Sequence, residues 1–260
     1  MELNVAYDFL PKKRSVRTSY VMDHFGVDFD QGRHVVAEGV RLDPAPGQVV
    51  LFTGPSGSGK SSLLRAAARE LEAAGLGVVW SEHLELPELP LVDALPRPLE
   101  ETLDLLSACG LSEARLLLRT PGELSDGQRY RFRLALGLGQ AIARGARFLA
   151  ADEFTATLDR RLAQVIAFQL RRLADRRGVG FLLATAHEDI VEDLAPDWLV
   201  RCRLDGPVAV EHSPPGAGRP PGRRSVCFFA SCGSARAPVP TGRTSLGGIT
   251  AAATWASCGK

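Results

Sequence analysis

Apolar residues along this chain fall into two alternating rhythms. Val49-Val-Leu-Phe-Thr53 is a short unbroken apolar run, the pattern of a strand buried on both faces. Residues 60–74 then carry Leu63, Leu64, Ala67, Ala68 and Leu71 at helical spacing, and Gly75 and Gly77 end that helix. Further strands are predicted at Val78-Val79-Trp80, Phe148-Leu-Ala-Ala151 and Phe181-Leu-Leu-Ala-Thr185. Leu158, Leu162, Val165, Ile166 and Leu173 mark a long helix between the last two. Residues 198–204 and 208–211, separated by Asp205-Gly206-Pro207, predict a closing hairpin. Strands alternating with helices imply an α/β fold with a mainly parallel sheet covered on both sides. The stretch 86–128 carries helical pattern but no clear strand and reads as a compact helical insertion.

The rhythm stops near residue 213. The remainder, SPPGAGRPPGRRSVCFFASCGSARAPVPTGRTSLGG onward, is rich in Pro, Gly, Ser and Arg and has no sustained period, so 213–260 is expected to be a disordered tail. The 260 residues are 45% apolar, enough for a substantial core. A formal net charge of +1 argues against a generally basic nucleic-acid binder. No apolar run approaches the roughly 18 residues of a membrane helix, and MELNVAYDFLPKKRS lacks the order of a secretion signal, so no membrane insertion of this chain is expected. The five cysteines show no CxxC pair, which fits reduced thiols in the cytoplasm.

Chemistry enters at Gly54-Pro55-Ser56-Gly57-Ser58-Gly59-Lys60-Ser61, followed by Ser62, which fits GxxxxGK[ST] between a strand and a helix. The glycines let backbone N–H groups converge on phosphate oxygens, and the helix from Lys60 directs its positive end at the same anion. Lys60 should reach the β- and γ-phosphates, and the Ser61 hydroxyl should ligate Mg²⁺. The strand 148–151 ends in two adjacent carboxylates at the edge where parallel sheets bind ligands. Asp152 is expected to hold Mg²⁺ and Glu153 to orient the attacking water.

Between these two motifs lies Leu124-Ser125-Asp126-Gly127-Gln128, which resembles the LSGGQ signature of ABC-type ATPases. Phe154-Thr-Ala-Thr-Leu-Asp159 resembles that family's D-loop, and His187, just beyond strand 181–185, its switch histidine. The resemblance covers roughly residues 25–205. It implies a P-loop NTPase fold of the ABC type with N-terminal antiparallel strands, an extension over 1–24 and an ATPase domain over 25–212. It also implies ATP and Mg²⁺ as ligands and a second ABC subunit, most simply a second copy of this chain. The signature of each copy would cover the γ-phosphate on the other, with Ser125 as hydroxyl donor, His187 as γ-phosphate sensor and Asp159 coupling the two sites. Adenine in this family stacks on an aromatic residue ahead of the first core strand. Phe29 is the best match and Phe25 its competitor.

Three departures bear on function. Asp126 stands where the family usually has glycine, and its carboxylate would repel a γ-phosphate unless it points away or pairs with Arg129, Arg131 or Arg133. No glutamine occurs between Lys60 and Gln128, so the metal-facing Q-loop position falls to Glu82 or His83. The region receiving a membrane subunit's coupling helices is short. The last two favour a soluble, non-transport role with a DNA- or RNA-processing partner. The alternative is the ATP-binding subunit of a transporter, peripheral to the inner membrane and partnered by a permease.

Overall fold

The computed structural model describes residues 1–8, 10, 13–27, 33–204 and 206–213. They lie in the first of two units of the chain, Met1–Pro221. The second unit, Gly222–Lys260, and with it nearly all of the expected tail, falls outside the described residues.

The chain opens with strand β1 (Glu2–Asp8), helix α1 (Val16–Phe25) and strand β2 (Arg33–Arg41), and β1 pairs antiparallel with β2. The segment 1–24, read from sequence as an extension, therefore contains a paired strand, and Leu3 on it is buried. Helix α1 is capped by Ser15 and ends at Gly26, yet none of its residues is buried.

The main sheet and its helices follow in chain order: β3 (Val49–Thr53), α2 (Lys60–Ala73) and β4 (Val78–Trp80). The insertion comes next, as α3 (Leu91–Ala94), α4 (Leu99–Ala108), α5 (Ala114–Leu117) and a 3₁₀ turn over Pro121–Glu123. It leads into α6 (Asp126–Arg144), β5 (Phe148–Ala151), α7 (Arg160–Arg177) and β6 (Gly180–Thr185). Short helix α8 (Val191–Leu194), β7 (Trp198–Arg201) and β8 (Ala209–His212) close the fold. Strand order is β4-β5-β6-β3-β7-β8, parallel except for the β7–β8 hairpin.

The unbroken apolar strands follow from burial on both faces. On β3, Val49 and Leu51 enter the core beneath α6, α7 and the insertion. Val50 and Phe52 enter the core that α2 shares with β1 and β2. The α2 stripe is as the spacing predicts, with Leu63, Leu64, Ala67, Ala68 and Leu71 all buried. Helix α7 differs from expectation. Its buried stripe is Ala163, Ile166, Ala167, Leu170, Arg171 and Ala174, while Val165 faces out and Leu158 precedes the helix. Arg171 is drawn inside because both terminal nitrogens of its guanidinium find partners, while its Nε stays buried without one. It donates to Asp197 at 2.6 Å, Asp175 at 2.7 Å and the Gly47 carbonyl at 3.0 Å, and Asp197 in turn accepts from the Val49 N–H at 2.8 Å. That network fastens α7 to the starts of β3 and β7.

Candidate active site

At the C-terminal edge of the sheet, β3 runs into the glycine-rich loop and then α2. The loop turns through left-handed backbone at Gly59, with φ +86° and the Val36 side chain standing where a Cβ would lie, so glycine is favoured there. No side chain caps α2, which leaves its first N–H groups free to meet an anion. Ser58 is turned inward, its hydroxyl donating to the Pro55 carbonyl at 2.8 Å. Lys60 folds over the loop and donates to the same carbonyl at 2.6 Å.

Strand β5 delivers Asp152 directly opposite. Its Oδ1 accepts from the Ser61 hydroxyl at 2.9 Å and from the Glu153 N–H at 3.0 Å. Arg65 of α2 stands 3.6 Å from its other oxygen. Beyond it, Glu153 and Thr155 adopt positive φ, +50° and +70°, a backbone that costs energy for residues bearing a Cβ. From β6, the His187 N–H donates to the Thr185 hydroxyl at 3.1 Å. These elements enclose a cleft of about 420 Å³ lined by Ser56, Gly57, Lys60, Ser61, Asp152, Glu153 and His187, among others. Gly59 and Ser62 also line it. Gly54, Pro55 and Ser58 shape the loop from behind.

Glu82 lies just past β4, and its Oε1 accepts from the Asp152 N–H and from the Ser81 hydroxyl, both at 2.8 Å. It is therefore tied to the Ser61–Asp152 pair although the residue as a whole is exposed. Among the described residues no group of three or more His, Cys, Asp or Glu is arranged to hold a metal. The oxygen donors of Ser61, Asp152 and Glu82 do suit a hard divalent cation completed by phosphate oxygens and water.

The signature residues sit apart from this cleft. Ser125 is the N-cap of α6, accepting from the Gln128 N–H at 3.4 Å while Gln128 Oε1 accepts from the Ser125 N–H at 3.1 Å. Leu124 is buried beneath and Ser125 is exposed. Asp126 is paired with Arg129 at 3.3 Å, one of the three arginines expected. A Cβ on Gly127 would stand 3.1 Å from the Thr157 carbonyl, so the signature and the 154–159 segment pack closely. A second, smaller cleft of about 230 Å³ lies between α6 and the sheet edge, with Glu82, Asp126, Arg133, Asp152 and Glu153 in its walls. Asp159 caps α7, accepting from the Leu162 N–H at 3.0 Å.

Phe29 lies outside the described residues. Phe25 is exposed on α1 and is not part of the cleft lining. Tyr7 of β1 does line the cleft, an aromatic residue the sequence reading missed. No local pattern marked it, because β1 is held in place by its pairing with β2. Cys202, at the end of β7 behind the loop, has its thiol pushed up to about 11 by burial, with the Lys60 charge opposing.

A glycine loop cradling a helix start, opposed by a strand ending in Asp-Glu, defines a phosphate-binding α/β nucleotide enzyme. No protein-family model matches the chain. It is 30% identical over 219 residues to the lipoprotein-releasing system ATP-binding protein LolD of Maricaulis maris, a match covering 70% of this chain and 90% of that protein. It is 29% identical over 207 residues to the phosphonates import ATP-binding protein PhnC of Hyphomonas neptunium, covering 64% and 77%. In fold it is similar to the ATP-binding cassette MJ0796, solved as a dimer in a post-hydrolysis state with ADP and Pi. That match has a TM-score of 0.52 and 19% identity, and covers 69% of this chain and 91% of that one. The chain belongs to the ABC-type ATPases. These relatives serve transport systems, so the expectation of a non-transport role is not supported and the transporter alternative fits better.

Proposed function

We propose that this chain is the ATP-binding, ATP-hydrolysing subunit of a membrane transporter. In this reading it works as a head-to-tail pair of cassettes beneath permease subunits carried on other chains. The observation that carries the ATP-hydrolysing part is the convergence of Lys60, Ser61, Asp152, Glu153 and His187 on one cleft at the sheet edge, and the likeness to ATP-binding proteins of release and import systems supports the transporter part. No described helix is long and apolar enough to cross a membrane. The chain itself would work at the cytoplasmic face of the inner membrane.

ATP enters with its phosphates on the glycine loop. Lys60 exchanges the Pro55 carbonyl for the β- and γ-phosphate oxygens, and the α2 N-terminus adds its partial positive charge. An aromatic ring stacks on adenine, with Tyr7 at the cleft and Phe29 as the sequence candidate. Mg²⁺, held by Ser61, Asp152 and Glu82, would neutralise charge developing on the phosphates. Glu153 orients and polarises the attacking water, and His187 contacts the γ-phosphate. The exposed Ser125 hydroxyl and the positive N-terminal end of α6 supply attraction to the γ-phosphate of the second copy. The Asp126–Arg129 pair removes the repulsion an unpaired carboxylate would cause there. Asp159, at the start of α7, couples the two sites. Loss of the γ-phosphate removes the bridge, and the pair opens.

The test is Mg-dependent ATP turnover of the purified chain beside Lys60→Ala, followed by co-purification in detergent with a multi-span membrane protein. Wild type no faster than Lys60→Ala would overturn the ATPase assignment. Active protein that recovers no such partner and stays soluble in cells would overturn the transporter assignment.

A further inference from the structure

The missing Q-loop glutamine leaves a mechanical question, because the signature helix needs some tie to the metal-facing residues if one site is to sense the other. In this chain a continuous run of hydrogen bonds makes that tie. Arg133, two turns into α6 from Asp126 and on the same face, donates from Nη1 to the Glu82 carbonyl at 3.0 Å. Glu82 Oε1 accepts from the Asp152 N–H at 2.8 Å. Asp152 Oδ1 accepts from the Ser61 hydroxyl at 2.9 Å. Three bonds thus link the signature helix to the phosphate-loop serine. We propose that Arg133 is a positioning residue that couples α6 to the Ser61–Asp152 pair through Glu82, so that docking of the signature on a second cassette re-aims the carboxylates in its own site.

Two further observations support a joint that moves. The cleft of about 230 Å³ beside these residues leaves room for α6 to shift against the sheet edge. The Tyr130 hydroxyl, on a residue that lines this cleft, is buried without a hydrogen-bond partner. A buried orphan hydroxyl is costly, which favours a second arrangement in which it is paired. Arg129 is spent differently: it donates to the Pro121 and Leu124 carbonyls and pairs with Asp126, which stiffens the start of α6. A shift at the signature is then carried along the helix rather than absorbed at its end.

The proposal rests on the ATPase reading for its catalytic consequence but not for its structural one. In nucleotide-free protein, Arg133→Ala should speed amide hydrogen exchange in 82–84 and 152–154, with exchange in α7 unchanged. At saturating ATP, the Mg²⁺ concentration for half-maximal turnover should rise about tenfold, the usual effect of removing a residue that orients a metal ligand. ATP affinity in excess EDTA should stay within about twofold, since Arg133 does not line the nucleotide cleft. Arg133→Lys, which keeps a donor, should restore most of the Mg²⁺ response. Arg133→Ala combined with Glu82→Ala should lose no more than Glu82→Ala alone, because the two act in series. Unchanged exchange at 152–154, or losses that add in the double variant, would overturn the coupling. A wild type without turnover would instead overturn the ATPase reading and leave the exchange measurement to decide the coupling alone.

Discussion

In the proposed reading Glu153 polarises the attacking water from a left-handed backbone, at φ +50°, that residues bearing a Cβ seldom adopt. Glu153→Gln keeps that backbone and the side-chain volume, so folding should be little changed while the carboxylate that polarises water is lost. Turnover should fall by about 10²–10⁴-fold, the usual worth of a positioned acid–base group. ATP binding should persist, and size-exclusion chromatography with Mg-ATP should show a dimer that wild type forms only transiently. A variant that is saturated with ATP yet elutes as a monomer would exclude the pair of identical cassettes. Two cysteines make an opposite point about reactivity. Burial pushes the Cys109 thiol up to about 12 and Cys202 up to about 11. Both therefore stay protonated at neutral pH, and the thiolate needed for alkylation appears only as the pH rises toward those values. Peptide mapping after iodoacetamide at pH 7.5 should find both unlabelled in native protein and labelled in urea.

Helix α6 has two duties at its first turn. The Ser125–Gln128 capping box satisfies N–H groups that would otherwise be orphaned, and the same exposed serine is the signature donor in the proposed reading. Ser125→Ala should thus produce two separable defects. Loss of the cap should lower stability by about 1 kcal/mol, read as a fall in Tm. Turnover should drop further than that destabilisation explains, with ATP affinity of the isolated chain intact, since Ser125 does not line its own nucleotide cleft. Isothermal titration and steady-state turnover on one preparation separate the two. A parallel loss of affinity would mean that Ser125 acts within its own subunit.

At the scale of the whole molecule, two cores meet across one sheet and a buried ion network fastens one side. Arg171 is only 6% exposed and Asp197 10%, and Asp197 also accepts the first N–H of β3. Removing the arginine would strand a buried carboxylate, which typically costs about 3–5 kcal/mol. Arg171→Ala should show that loss as a lower urea midpoint with an unchanged slope. Arg171→Leu together with Asp197→Asn should recover part of it, because no buried charge is then left unpaired. A surface-like change under 1 kcal/mol in the single variant would show that the network is solvated.

The sequence by itself determined the strand–helix alternation, the phosphate loop, the Asp152-Glu153 pair and the order of the later motifs. Those features are local: an apolar run, a helical stripe and a glycine pattern are each written within about fifteen residues. Only the tertiary structure decided the rest. Strand β1 was unreadable because it is stabilised by a partner some thirty residues away, and Tyr7 reaches the cleft only through that pairing. The outward turn of Val165 and the burial of Arg171 reversed the hydropathy pattern of α7, because Asp197, Asp175 and the Gly47 carbonyl supply partners to the buried guanidinium. Glu82 was a candidate from its position alone. Its hydrogen bond to Asp152 and its tie to Arg133 join residues 51 and 70 positions apart, and no local pattern records contacts of that range.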